Sequence, residues 1–238
     1  SESSEQMIFD LLTRPQEKRE AEKPAISITG NSPTATCAEI IEWAWSDDDY
    51  DIAVLACDGC HFNALLANPI AGALGAPVFS TKPNFLTPLV EENLCQSRPT
   101  KIILIDSEAT AYEMAERLKR LPWKPDIIHA ARENESMYLF SARLIEEGAR
   151  AGLWNDEVAI ISMHDVNGAL ALTPYLYAQC CPVVLMLPDD NDVARTMRYF
   201  EDYGSKRVIA LDESIEHMVE IIEDEYDIEI LRFSSRAA

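Results

Sequence analysis

Two prolines stand eight residues apart at Pro69 and Pro77, and two more stand eight apart at Pro174 and Pro182, 105 positions downstream. The same shift lays the apolar run IAVLA at 52–56 onto EVAII at 157–161, and KIILI at 101–105 onto KRVIA at 206–210. A gap-free match of strand, helix, strand and strand predicts two diverged copies of one unit. Function must then be asked of a duplicated unit, not of a single active site.

From residue 25 onward, apolar runs of four to six residues alternate with helical periodicity. The runs predict strands at 26–29, 52–56, 77–80, 102–105, 127–130, 159–162, 183–187, 208–211 and 228–231. Between them, apolar residues three and four apart, as at Ala111, Met114, Ala115 and Leu118 or at Met218, Ile221 and Ile222, predict helices. Near-continuous apolar strands joined by helices imply parallel sheets covered on both faces, with right-handed crossovers. The expected fold class is α/β: two tandem Rossmann-like units whose parallel sheets are flanked by helices. The units are placed at 25–131 and 132–238, with the seam in the polar stretch AARENES. Residues 1–24 stand apart as an N-terminal helix, with Ser3 and Gln6 as a capping box, followed by the charged tether QEKREAEK.

Pro69 and Pro174 fall about seven residues into their helices, where each is expected to kink the helix or to end it and start a short second one. Pro77 and Pro182 sit where the next strand begins, a position that needs no ladder donor. The small residues AGALGA before Pro77 are expected to let a helix end lie close against the sheet.

With 41 acidic against 20 basic residues and a net charge of −21, the chain repels nucleic-acid backbones and anionic membranes at long range. No run approaches the roughly 18 apolar residues of a membrane span, and no signal sequence is present. The chain begins with Ser1 and is expected to be a mature or trimmed piece, which says nothing about secretion. The six cysteines, at 37, 57, 60, 95, 180 and 181, mostly sit in apolar runs and are expected to be buried free thiols, not a disulfide framework. No G-x-G-x-x-G occurs, so no dinucleotide, and no other resident cofactor, is expected.

Open parallel sheets bind ligands at the carboxyl ends of strands, near a topological switch point. In the first unit that edge carries Cys57, Asp58, His61 and Asn63; in the second it carries Ser162, His164, Asp165 and Asn167. Asn31, Ser32 and Asp106 join from neighbouring loops, and Thr36 from the start of the first helix. These side chains offer donors and acceptors suited to hydroxylated sugars or a cation; capping helices and lining loops is their competing role. His61 and His164 do not align between copies, which argues against a duplicated site.

Sharper motifs fare less well. CDGC at 57–60 has redox spacing at a strand-to-helix junction but lacks aromatic and proline neighbours and has no counterpart in the second copy. As a zinc site it is half a set, with His61 and Cys37 as the further ligands. The runs SDDDYD and PDDND lack the spaced ligands and central glycine of an EF-hand and read as solvated acidic loops. No G-x-S-x-G elbow is present, and His164 beside Asp165 does not define a triad. A hydrolytic or small-molecule-binding α/β enzyme using Asp58, His61, His164 and Asp165 stands as the alternative to a non-enzymatic module.

The string AVLACDGCHFNALLANPIAGALGAPVFST at 53–81 resembles the core of the cell-wall-binding type 2 repeat family. In that family a strand is followed by a polar loop, an aromatic, an Asp-Ala-Leu-Ala-like helix start, a proline, and a Gly-Ala-Pro that opens the next strand. Here Asn63-Ala64-Leu65-Leu66-Ala67, Pro69 and Gly75-Ala76-Pro77 take those places, and Asn167-Gly168-Ala169-Leu170-Ala171, Pro174 and Cys181-Pro182 take them in the second copy. The resemblance spans about residues 25–238, as two repeats where the family commonly has three. The family's Asp-Arg-Tyr triplet is missing twice, and its glycine pair after the third strand is replaced by Asp106-Ser107 and Asp212-Glu213. The resemblance implies a non-enzymatic, extracellular module that attaches an exported protein to a secondary polymer of the Gram-positive cell wall or to a surface protein. An anionic polymer suits a chain at −21 only if basic residues gather locally or a calcium ion bridges the two. Two units where relatives carry three leave a face exposed, so self-association is also expected.

Overall fold

The computed structural model describes residues 31–45, 50–106, 108–132, 135–164, 166–187, 205–211 and 215–233. The N-terminal helix and tether, the strand expected at 26–29, the first four residues of the acidic run at 46–51, and the acidic run at 188–192 lie outside these residues. The first unit runs α1 (Pro33–Ala44), β1 (Ile52–Cys57), α2 (His61–Leu74), β2 (Val78–Thr81), α3 (Pro88–Ser97), β3 (Lys101–Ile105), α4 (Glu108–Leu118) and β4 (Asp126–His129). The second runs α5 (Met137–Arg150), β5 (Glu157–Ser162), α6 (Val166–Ala169), a 3-10 turn at Leu170–Leu172, α7 (Thr173–Gln179), β6 (Val183–Met186), β7 (Arg207–Leu211), α8 (Glu216–Glu225) and β8 (Glu229–Phe233). Each sheet is parallel, and the orders match: β2-β1-β3-β4 and β6-β5-β7-β8. This is an α/β fold of two tandem Rossmann-like units. None of the described helices is long and apolar enough to cross a membrane.

The repeat is not gap-free. Lys101 pairs with Ile52, whereas Arg207, not Lys206, pairs with Glu157. The third strand is therefore shifted by 106 positions, a register that sends Ile209 and Leu211 to the central cluster and Val208 and Ala210 to the outer one. The first helix shifts the other way. Ser32 Oγ accepts from the Ala35 N–H at 3.1 Å and caps α1; Ser136 Oγ does the same for Leu139 at 3.2 Å in α5, 104 positions on. One turn later the thiol of Cys37 donates to the Val78 carbonyl at 3.1 Å, and Ser141 Oγ accepts from the Leu185 N–H at 3.2 Å, so each helix is tied to the edge strand of its sheet from the same helix position.

The two interior prolines act differently. Copy two follows the expected break: α6 ends at Ala169, a 3-10 turn intervenes, and Pro174 lies in the first turn of α7. Copy one does not, since α2 continues from His61 to Leu74 through a buried Pro69. The residue before each proline donates to a carbonyl of the preceding turn, Asn68 Nδ2 to Ala64 at 2.7 Å and Thr173 Oγ1 to Leu170 at 2.8 Å. The longer amide reaches back four residues, an α-helical span, whereas the hydroxyl reaches back three, the 3-10 span. Pro77 and Pro182 immediately precede β2 and β6, and their carbonyls accept from Val54 and Ala159 at 3.0 and 2.9 Å.

Alternation along the strands builds three cores. Val54, Ala56, Ile103 and Ile105 of the first sheet and Ala159, Ile161, Val183 and Leu185 of the second share one cluster with α2, α7, Phe140 and Leu144. Their neighbours Ala53, Leu55, Ile102 and Leu104 face outward onto Ile41, Leu94, Met114 and Leu118. Val158, Ile160, Val184 and Met186 face Ile145, Met218, Val219 and Ile222. Each sheet is thus buried on both faces. At the centre, Gly72 lies so close to Tyr177 that a Cβ on it would stand 2.0 Å from the Tyr177 carbonyl oxygen, and Tyr177 OH donates to the Ala76 carbonyl at 3.0 Å. Positions 72 and 177 are equivalent in the repeat. The small residues before Pro77 therefore serve contact between the copies as well as with the sheet beside them, where Ala71, Leu74 and Ala76 are buried in one cluster with Val54 and Ala56.

Candidate functional site

In each sheet the chain moves from its first strand to one side and then returns to pair the third strand on the other. The switch point of the first unit lies between the carboxyl ends of β1 and β3, and Asn63 bridges it. It is fully buried in the first turn of α2, and its Nδ2 donates to the Cys57 carbonyl at 3.0 Å and to Asp106 Oδ1 at 3.2 Å. Asn63 Oδ1 is buried with no hydrogen-bond partner among the described residues. Asp106 and Cys57 are also buried. Burial pushes the Cys57 thiol up to about 11; the Gly59 N–H opposes it, and the charge and hydrogen bond of Asp106 and the charge of Asp58 add to the rise. At neutral pH it is a protonated thiol, a poor nucleophile and a poor metal ligand.

Asp58 stands at the rim, paired with Lys82 Nζ at 2.5 Å. Lys82 opens a tight turn closed by a bridge to Phe85, with Asn84 in the left-handed region at φ 55°. Phe85 is left 46% exposed with the Arg117 guanidinium 5.4 Å from its ring centre. Behind this turn an open groove of about 650 Å³ runs along α3 and α4, lined by Leu86, Glu91, Glu113, Arg117 and Arg120 among others. His129 ends β4, where burial and then the charge of Lys119 hold its pKa below the ordinary imidazole value. Lys82, Phe85, Arg117 and His129 escaped the sequence reading. The signals were present in TKPNF, a turn sequence carrying a cation and an aromatic, and in DIIH, a histidine ending an apolar strand.

Of the expected residues, Asp58, Asn63 and Asp106 converge with Cys57. Asn31 and Ser32 are exposed at the start of α1; Ser32 is the helix cap, and Thr36 Oγ1 donates to the Ser32 carbonyl at 3.1 Å. His61 is exposed at the first position of α2. In the second unit, Ser162 is fully buried and its Oγ accepts from the N–H of the exposed His164 at 3.2 Å. Asp165 and the side chain of Asn167 lie outside the described residues. On the 105 shift, Met163 stands for Asp58, Leu187 for Lys82 and Gly168, not Asn167, for Asn63. The residues at these positions therefore differ in chemistry from those of the first edge. His61 and His164 belong to different sheets. No three His, Cys, Asp or Glu side chains converge on a metal-sized site among the described residues. None of the six cysteines forms a disulfide, but only Cys57 and Cys181 are buried; the other four, on helices or at helix ends, are partly exposed.

Two parallel α/β units of identical strand order, joined through a common core and built without a glycine-rich phosphate loop, define the class. The fold is shared with two cell-wall proteins of Clostridium difficile, Cwp6 and Cwp8. The match to Cwp6 has a TM-score of 0.73 at 14% identity over 87% of this chain and 33% of that one. The match to Cwp8 has a TM-score of 0.64 at 17% identity, over 86% and 34%. The chain thus spans about a third of each of these proteins. No family model matches the chain, and neither does any curated protein sequence.

Proposed function

We propose that this chain is a non-enzymatic cell-surface module that attaches an exported protein to the Gram-positive cell wall, through a secondary wall polymer or a surface protein. The observation that carries this reading is the fold shared with Cwp6 and Cwp8 over more than four-fifths of the chain, together with the repeat layout that resembles wall-binding modules. The chemistry of the first edge agrees with binding rather than turnover: its thiol is held protonated and its buried amide is committed to a strand end and a carboxylate. In this reading the units comprise 25–131 and 132–238, and the polymer meets the rim of the first unit at Asp58, His61, Lys82 and Phe85. Lys82 and Arg117, gathered about Phe85, supply cation and aromatic surface for an anionic sugar chain. A calcium ion bridging Asp58 to the polymer would draw most of its oxygen ligands from the polymer itself.

Cosedimentation of the chain with Gram-positive cell walls, before and after acid extraction of secondary polymers and with or without calcium, tests the proposal. Binding that disappears on extraction and weakens in Lys82→Ala and Phe85→Ala is the expected result. Binding unaffected by extraction would reject the polymer, and absence of binding in every condition would reject wall attachment.

A further inference from the structure

We infer that a second copy of this chain docks on the exposed face of α1, in the way that α5 docks on the first sheet within one chain. The argument is independent of wall attachment. The serine caps set α1 and α5 in register with a shift of 104, so Thr36, Glu39, Ile40 and Trp43 take the places of Phe140, Arg143, Leu144 and Glu147. On α5 this face is covered: Phe140 is 0% and Leu144 2% exposed in the cluster that holds Ile128 and Ala130, and Arg143 donates to the Ala130 carbonyl at 2.7 Å. On α1 the same face is open, with Ile40 44% and Trp43 37% exposed.

The receiving surface is also present twice. Lys101 pairs with Asp126 and Arg207 with Glu229, so Ile128 on β4 corresponds to Leu231 on β8. Ile128 is buried in the central cluster; Leu231 is only half-buried and lies outside it. Among the described residues one chain therefore forms this contact once, α5 against the β4 side, and leaves over one copy of each half: the α1 face around Ile40 and the β8 edge. Leftover halves that differ from each other can meet only between chains, as a heterologous, head-to-tail contact. Glu39 stands in Arg143's place, so the contact between chains lacks the arginine clamp and is weaker than the one within a chain.

Sedimentation velocity of the full chain from about 1 to about 500 µM is the test. The average mass is expected to rise above that of a single chain with concentration. Ile40→Glu and Leu231→Glu are each expected to remain single chains with unchanged far-UV circular dichroism; Leu231→Thr substitutes if the glutamate disturbs the strand. An equimolar mixture of the two variants should then regain a 1:1 dimer, because one retains the β8 edge and the other the α1 face. A single-chain mass at all concentrations, association that survives both substitutions, or failure of the mixture to dimerise would each overturn the proposal.

Discussion

Arg143 grips Glu135 through two parallel hydrogen bonds, Nε to Oε1 at 2.8 Å and Nη2 to Oε2 at 2.7 Å, with the side chains only 10% and 9% exposed. The same guanidinium reaches Glu147 at 3.0 Å and lies over the Phe140 ring at 5.2 Å. One residue thus joins the segment after β4 to α5. Arg143→Ala removes the fork on Glu135 and the bonds to Glu147 and the Ala130 carbonyl in a nearly closed site, leaving the two carboxylates only their weaker links to Arg132, and should cost roughly 3 kcal/mol. Arg143→Lys should recover less than half of that, since an ammonium cannot form the fork. Urea-unfolding midpoints measure both.

The pair also sets a pH response. Burial by itself would raise the Glu135 pKa, but hydrogen bonds from Arg143 and the Arg132 N–H, with the charges of both arginines, outweigh it and hold the carboxyl below its ordinary value of 4.5. A depressed native pKa gives stability that is complete above the unfolded value and lost as pH falls through the lower native one. Wild-type stability should therefore fall more steeply below about pH 4.5 than that of Glu135→Gln, in which this group no longer titrates. Thermal melts between about pH 2 and 6 would reveal the difference; parallel curves would rule it out.

Gly72 has no room for a side chain against Tyr177. The obstacle is backbone, which cannot swing aside. Gly72→Ala should cost about 3 kcal/mol, the upper part of the range for overpacking, and lower the melting temperature several-fold more than Tyr177→Phe, which loses one hydrogen bond worth about 1 kcal/mol. Equal losses would mean that the helices separate without strain.

Cys180 caps α7 at φ 48°, where Gly75 caps α2 at φ 61°. A side chain pays a steric penalty in this left-handed region that glycine escapes. Cys180→Gly should stabilise the chain by about 0.5 kcal/mol, the residue of that relief after glycine's larger unfolded-state entropy. Differential scanning calorimetry reads the sign, and a lower melting temperature would count against the argument.

Burial, followed by the charge of Glu157, pushes the Cys181 thiol up to about 12, while Cys57 stands at about 11. At pH 8 both should label with a disulfide reagent at least about a hundredfold more slowly than an ordinary exposed cysteine. Full reactivity should return on unfolding. Rapid native labelling at Cys57 would mean that the first edge opens more readily than its hydrogen bonds allow.

Much of the fold was legible because its signals are local. Short apolar runs, helical spacing and paired prolines report on neighbours within a few residues, and every strand expected within the described residues is present, displaced by no more than two positions. The site was half legible: strand-end logic finds Cys57, Asp58, Asn63 and Asp106, because the end of an apolar run is visible in one dimension. It misses Lys82, Phe85 and Arg117: the turn that holds Lys82 and Phe85 lies beyond the strand end, and Phe85 meets Arg117 only across 32 residues of chain in the folded state.

The sequence by itself determined the duplication, the α/β class and the inside-and-out alternation of each strand, since these follow from chain periodicity and backbone sterics. Tertiary structure decided what equivalent residues became. Pro69 stays inside one helix while Pro174 starts another, Leu144 is buried where Ile40 is open, and Asn63 finds Asp106 across 43 residues where Gly168 offers no side chain. The physical reason is that the two copies bury surface against each other, and a contact between unlike faces treats its two sides differently. A repeat in sequence carries no record of which side each copy will take.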